Sequence, residues 1–283
     1  MSRVPAAPPV ASADHGADEA SDWSQPALIR FAADTAAILD VEVRKLRHDP
    51  QEVLTRAVQP VLWLLVFGKV MARTHAIPTG NIPYLDFLAP GILAQSALFV
   101  SIFYGIAVIW ERDLGVLHKF LVSPASRVAL VSGKSLSAGV RALAQALIVY
   151  VLAAAIGVNL RLTPGPLIGV IAMLILGSAV FATFSLIIAC LVKTRERFMG
   201  MGQVLTMPLF FASNAIYPIS IMPGWLQAFA RVNPLSYQAD AIRALMLPAG
   251  HSAFGLPADF AVLAGFLVVL TTVAACLYPH VIT

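Results

Sequence analysis

LIGVIAMLILGSAVFATFSLIIACLV, residues 167–192, decides the fold. The run holds no Asp, Glu, Lys, Arg or His, and it exceeds the about 20 residues that a helix needs to cross a hydrocarbon core of about 30 Å. Lipid offers no water to an unpaired N–H or C=O, so the segment must close its own backbone hydrogen bonds as an α-helix. Apolar runs of similar length recur at 53–70, 87–110, 136–158, 199–219 and 260–279. The first is the shortest and contains Pro60. Six spans make this an all-α integral membrane protein.

Composition agrees. Of 283 residues, 59% are hydrophobic and 12% are Asp, Glu, Lys or Arg, against about 25% charged in a soluble domain. No polar globular segment separates the runs, so residues 28–283 read as one membrane domain. The net charge of +4 does not imply a nucleic-acid partner, because the basic residues form short clusters between apolar runs rather than one soluble face. With a cytoplasmic N-terminus, fourteen of the nineteen Lys and Arg fall on the inner side. Only Lys69, Arg73, Arg161, Arg231 and Arg243 fall outside. This positive-inside bias predicts a multi-pass protein of the cell membrane with both termini cytoplasmic.

Residues 1–27 are rich in Ala, Pro, Ser and Asp and predict a disordered cytoplasmic tail, without the apolar core of a cleaved signal. From Leu28 to Pro50, Leu28, Thr35, Leu39, Val43 and Leu46 recur at helical spacing, with Arg30, Asp34, Arg44 and Lys45 largely elsewhere. That pattern suits an amphipathic helix lying along the inner membrane surface, or one docked on protein.

Catalytic chemistry is hard to find. Gly133-Lys134-Ser135 has the ending of a phosphate-binding loop, but the required earlier glycine is replaced by Val128. The six histidines and two cysteines show no metal-ligand spacing. Arg56, Lys69, Asp86, Arg141 and Asp259 lie near span ends, within reach of the headgroups. An ion-coupled secondary transporter, the main alternative to an energised subunit, needs a carboxylate or unwound segment nearer mid-membrane. A lipid-modifying enzyme needs convergent His or acidic residues.

Two connections carry more than hydropathy. Between the second and third spans, Trp110 to Leu136, Leu114, Leu117 and Leu121 form one helical stripe against Glu111, Arg112, His118 and Lys119, and Pro124 stops the helix. Between the fifth and sixth spans, Tyr217 to Leu247, Asn233-Pro234 is a strong helix start: Asn caps an orphan N–H and Pro at the first position loses nothing.

These segments resemble the permease subunits of type-2 ATP-binding-cassette (ABC-2) exporters. ERDLGVLHKFLVSPASRVALVSGKSL is similar to their cytoplasmic connection, and FLAPGILAQSALF (Phe87 to Phe99) also fits. Their outer pattern is matched by Tyr217-Pro218, Pro223-Gly224-Trp225-Leu226, Asn233-Pro234-Leu235 and Arg243-Ala244-Leu245. The resemblance covers about residues 28 to 279 and is nearest the daunorubicin-type drug-resistance branch. Tyr278 to Thr283 departs from the pattern in lacking basic residues.

The resemblance implies a non-catalytic subunit that exports a hydrophobic or amphipathic compound, a drug, lipid or glycolipid. It would pair with a second permease chain, identical or not, and with an ABC ATPase that binds the ATP and Mg; this chain would bind no cofactor. Glu111, Arg112, Leu114, Leu117 and Leu121 would form the ATPase-coupling helix. Phe99, Phe103, Tyr104, Met207, Phe210, Phe211 and Asn214 would line the substrate pathway. Pro223, Trp225, Asn233, Pro234 and Arg243 would belong to an external re-entrant helical hairpin. Aromatic and Met side chains in a span more often serve packing, and the alternative for the outer segment is a simple surface loop.

Overall fold

The computed structural model describes residues 55, 58–113, 127–192 and 194–277. The expected tail, the amphipathic helix before residue 50 and the leucine stripe 114–121 lie outside the described residues. Among the described residues every regular element is helical. Residues 58–62 lead into a π-helical turn, Trp63–Gly68, and α1, Lys69–Thr74. Then come α2 (Tyr84–Asp113), α3 (Arg127–Ala155), α4 (Pro164–Leu191) and α5 (Arg195–Phe211). A 3-10 turn at Ile219–Ile221 precedes α6 (Gly224–Val232), α7 (Pro234–Met246) and α8 (Leu256–Leu277).

Among the described residues, four stretches are long and apolar enough to cross a membrane: Tyr84–Ile106, Ala138–Ala155, Pro164–Leu191 and Leu256–Leu277. They correspond to the second, third, fourth and sixth expected runs. Of the other two runs, the described part of the first is helical from residue 58 through Thr74, and the fifth is helical over a shorter length than expected. Around the first, the helix passes through Pro60 and then widens into the π turn, which is where a helix absorbs a misfit in its hydrogen-bond ladder. The fifth, expected to reach residue 219, ends as helix at Phe211. Its final carbonyls are satisfied by side chains: Ser213 Oγ donates to Phe210 O at 2.7 Å, Tyr217 Oη donates to Phe211 O, and Asn233 Nδ2 donates to Leu209 O at 2.7 Å and Ala212 O at 3.0 Å. Since a helix end must place its orphan acceptors somewhere, these groups fix where α5 stops.

The core runs along α2. Leu88, Ile92, Leu93, Leu98 and Ile102 are buried against Val180 and Phe181 of α4, Ala142, Ala146 and Val149 of α3, and Leu235, Ile242 and Met246 of α7. Two close approaches explain the glycines there. A Cβ at Gly91 would collide with the Ala215 backbone carbonyl. At Gly105 it would meet Ser185 Oγ and the Phe198 ring. Ser185 uses that space to tie α4 to α2, accepting from Gly105 N–H at 3.1 Å and donating to Ile102 O.

The connections 75–83, 156–163 and 212–255 gather at one end of the bundle, called here the loop end. Tyr84 Oη donates to Ile216 O at 3.1 Å, the Arg161 N–H donates to Met246 O at 2.7 Å, and the Asn159 N–H bonds the Asp86 carboxylate. At the opposite end Arg195 stacks over the Trp110 ring at 3.5 Å.

Candidate functional site

The flank of the bundle carries the first candidate. Gln59 and Pro60 on the first helix face Ser96, Phe99, Val100 and Phe103 on α2 and Gln145 on α3 across a cavity of about 350 Å³. The size is at the small end of ligand pockets, and the mixture of aromatic wall and few polar groups is typical of them. Phe99 and Phe103 lie one helical turn apart, with ring centroids separated by 6.2 Å. Beside the cavity, Val58, Leu62, Val66 and Val70 point outward at four-residue spacing, bordering an open apolar groove with Trp63 and Phe67.

The expected pathway residues do not all meet there. Tyr104 is buried, with the Arg141 guanidinium 5.3 Å from its ring centroid. Phe210 is buried and Phe211 is exposed, and both belong to a second aromatic cluster. Trp63 joins that cluster to the first helix, its ring 5.3 Å from Phe210, 6.3 Å from Phe211 and 4.9 Å from Phe67. Met207 is half-buried on α5. Trp63 and Gln59 were missed by sequence reasoning, although a Gln and a Trp one turn apart inside an apolar run share one helical face.

Asn214 sits instead at the loop end, in a buried polar network. Its Nδ2 donates to Asp240 Oδ1 at 3.1 Å. Asp240 Oδ2 accepts from the Ala253 and Phe254 N–H groups at 2.6 and 3.2 Å. Ser252 Oγ lies between two carboxylates, 3.0 Å from Asp240 Oδ2 and 2.8 Å from Asp259 Oδ2, and accepts from Gly255 N–H at 2.6 Å. Arg243 pairs with Asp240 at 3.5 Å, donates to Asn214 O at 2.7 Å and to Phe87 O at 3.4 Å, and covers the Phe87 ring at 3.8 Å. Burying a charge is costly unless it is paired and hydrogen-bonded, and this pair is both. Asp259, expected near the headgroups, is fully buried.

The outer segment divides in two. Asn233 caps α7 as its sequence predicts, with Oδ1 accepting from Leu235 N–H at 3.0 Å and Pro234 in the first turn. Most of α7 is buried. Pro223 precedes α6, which presents Trp225, Phe229 and Val232 outward on one face; Trp225 is 74% exposed. Of the expected coupling residues, Glu111 and Arg112 fall in the last turn of α2. Leu114, Leu117 and Leu121 lie outside the described residues.

A bundle of several apolar, membrane-length helices with a cavity opening on its flank defines a multi-pass membrane protein. The chain belongs to the ABC-2 type transporter family, whose model matches residues 34–247. It is 30% identical over 205 residues to the transport permease named ycf38 of Cyanophora paradoxa, covering 71% of this chain and 70% of that protein. It is 28% identical to the daunorubicin resistance ABC transporter permease protein DrrB1 of Streptomyces coeruleorubidus, covering 80% and 79%. With the doxorubicin resistance ABC transporter permease protein DrrC of Mycobacterium tuberculosis it shares 27% identity, covering 78% and 79%.

Proposed function

We propose that this chain is the non-catalytic membrane subunit of an ABC exporter that moves a hydrophobic or amphipathic compound out of the cytoplasm or inner leaflet. The observation that carries this reading is the family match across 34–247, which takes in both the 110–136 connection and the outer segment in one frame. Relatives named for daunorubicin and doxorubicin resistance point to a drug-like cargo. A separate ABC ATPase supplies the ATP and Mg and docks on the segment from Glu111 to Leu121. The flank cavity, with Phe99 and Phe103, receives the cargo. The apolar faces of the first helix and α5, where Leu62, Val66 and Val204 are exposed, meet a second permease chain. Both termini and the Arg195 end face the cytoplasm, and the loop end faces out.

One observation favours ion coupling: Asp240 and Asp259 are buried carboxylates joined through Ser252. Arg243 neutralises Asp240, however, and both acids lock the 248–255 connection in place, which suits an anchor better than a carrier site. Membrane vesicles holding the chain with and without its ATPase separate the two readings. Uptake of a fluorescent hydrophobic drug into inside-out vesicles that requires both the ATPase and ATP supports the exporter. Uptake driven by an ion gradient without the ATPase would establish the carrier. In a variant lacking Cys190 and Cys276, His251→Cys reacts with an impermeant thiol reagent from outside and Arg197→Cys does not; the reverse pattern inverts the orientation.

A further inference from the structure

Two buried acids meet one hydroxyl at the loop end, and the hydrogens there can be counted. Ser252 Oγ lies 3.0 Å from Asp240 Oδ2 and 2.8 Å from Asp259 Oδ2, and accepts from the Gly255 N–H at 2.6 Å. A hydroxyl carries a single hydrogen, so it donates to one acid, and the other contact is filled only if that acid brings its own proton. Asp240 has the surroundings of a carboxylate. Its Oδ1 accepts from Asn214 Nδ2 and pairs with Arg243, and its Oδ2 accepts from the Ala253 and Phe254 N–H groups. Asp259 is 0% exposed, and Ser252 is its one side-chain partner among the described residues. Burying an unpaired charge is costly, and the neutral acid avoids that cost.

We propose that Asp259 is a proton-bearing latch: as a neutral acid it donates to Ser252 Oγ, Ser252 donates to Asp240 Oδ2, and loss of the proton to water frees the 248–255 connection. With the proton gone, two anions compete for one hydroxyl hydrogen, and one of the two Ser252 contacts is given up. The latch joins two helices, since Asp240 belongs to α7 and Asp259 to α8, and Phe254 stacks on Tyr237 of α7 at 4.6 Å. The other titratable groups around it are engaged or turned away. On α7, Arg243 is held by Asp240 Oδ1 and the Asn214 and Phe87 carbonyls, and Tyr237 donates its hydroxyl to Arg231 O. Helix α4 has no Asp, Glu, Lys, Arg or His, and on α3 the titratable residue nearest this end is Tyr150, a neutral phenol. On α2, Asp86 bonds the Asn159 N–H. In the connections, Arg161 donates to Pro248 O at 2.9 Å, and His251 is exposed.

The latch does not depend on the transport reading, so the two fail separately. Infrared spectra of the full chain in nanodiscs at neutral pH should show a protonated-carboxyl band that Asp259→Asn removes. Hydrogen exchange of the peptide spanning 251–256, followed by mass spectrometry over a rising pH series, reads the connection itself. Comparison with Asp259→Asn at each pH cancels the base catalysis of exchange, because the amide donates to Ser252 as the neutral acid does and cannot ionise. As pH rises, protection in the parent should fall by about tenfold or more relative to that variant. Ser252→Ala, which lacks the shared hydroxyl, should be poorly protected throughout the series, and His251→Gln should keep the parent's response. Absence of the band, a band that survives Asp259→Asn, or failure of that variant to accumulate would overturn the proposal. So would parallel pH responses in the parent and Asp259→Asn, full protection in Ser252→Ala, or loss of the response in His251→Gln.

Discussion

Helices α2 and α8 both qualify as membrane spans, yet 89% of the apolar window of α2 is buried inside the protein and only 11% of that of α8. The more buried helix is the less apolar of the two. Hydropathy registers what lipid will accept, not which neighbour a helix takes. What places α2 at the centre is its small and polar residues: Gly91 and Gly105 admit another chain, and Gln95, Ser96 and Ser101 are buried. Close backbone approach through small residues is how helices associate where no hydrophobic drive separates protein from lipid. On α8, Val268, Val269 and Val273 are exposed, and the side chains buried within it are Asp259, Leu263 and Ala274.

The comparison is broken most severely where α2 meets the loop end. Arg243→Leu removes the donor to Phe87 O and strands Asp240 as a buried, unpaired charge, at a cost of about 3–5 kcal/mol. The purified variant should melt far below the parent or fail to accumulate. A melting curve close to the parent's would mean that water reaches Asp240 freely. A smaller effect sets the two helices directly against each other. Gly91→Val drives a side chain into the Ala215 backbone and should cost about 1–3 kcal/mol, whereas Gly265→Val on α8 meets nothing within 4 Å and should stay within about 0.5 kcal/mol. Equal losses from the two, read by thermal melting, would put α8 in an interface rather than in lipid. The smallest effect on stability belongs to the flank: Phe103→Ala, at a half-buried position on the cavity wall, should leave the melt nearly unchanged while reducing drug uptake several-fold, as loss of an aromatic contact of about 0.5–1.5 kcal/mol implies. Unchanged uptake would take the cargo elsewhere.

Much of this was legible in the chain. Uninterrupted apolar runs declare themselves, and Asn233-Pro234 states where α7 begins because its chemistry is local: the cap and the ring act within one turn. The buried acids were not legible. Asp259 sits in the first turn of an apolar helix and looks like a residue that reaches water, and only the return of Ser252, Ala253 and Phe254 over Asp240 makes a closed network. Those partners come from an aperiodic connection, where no spacing rule operates. Likewise, α5 stops at Phe211 because Tyr217 and Asn233 satisfy its last carbonyls, a three-dimensional fact that the apolar run to residue 219 conceals. The cargo candidates divided for the same reason, since residues on one span separate into different neighbourhoods once their helix is seated.

The exporter reading turns on whether the segment after α2 grips an ATPase. Leu117 lies on the expected stripe with Leu114 and Leu121, and an amphipathic helix docks by burying such a stripe in a partner's groove. The decisive measurement is co-purification of the ATPase with Leu117→Asp from membranes, with the level of inserted permease measured in parallel. Burying an unpaired carboxylate in that groove predicts normal insertion of the variant, loss of the ATPase from the complex and loss of ATP-driven export. A variant that retains its ATPase and exports at the parent rate would contradict the coupling role of this segment.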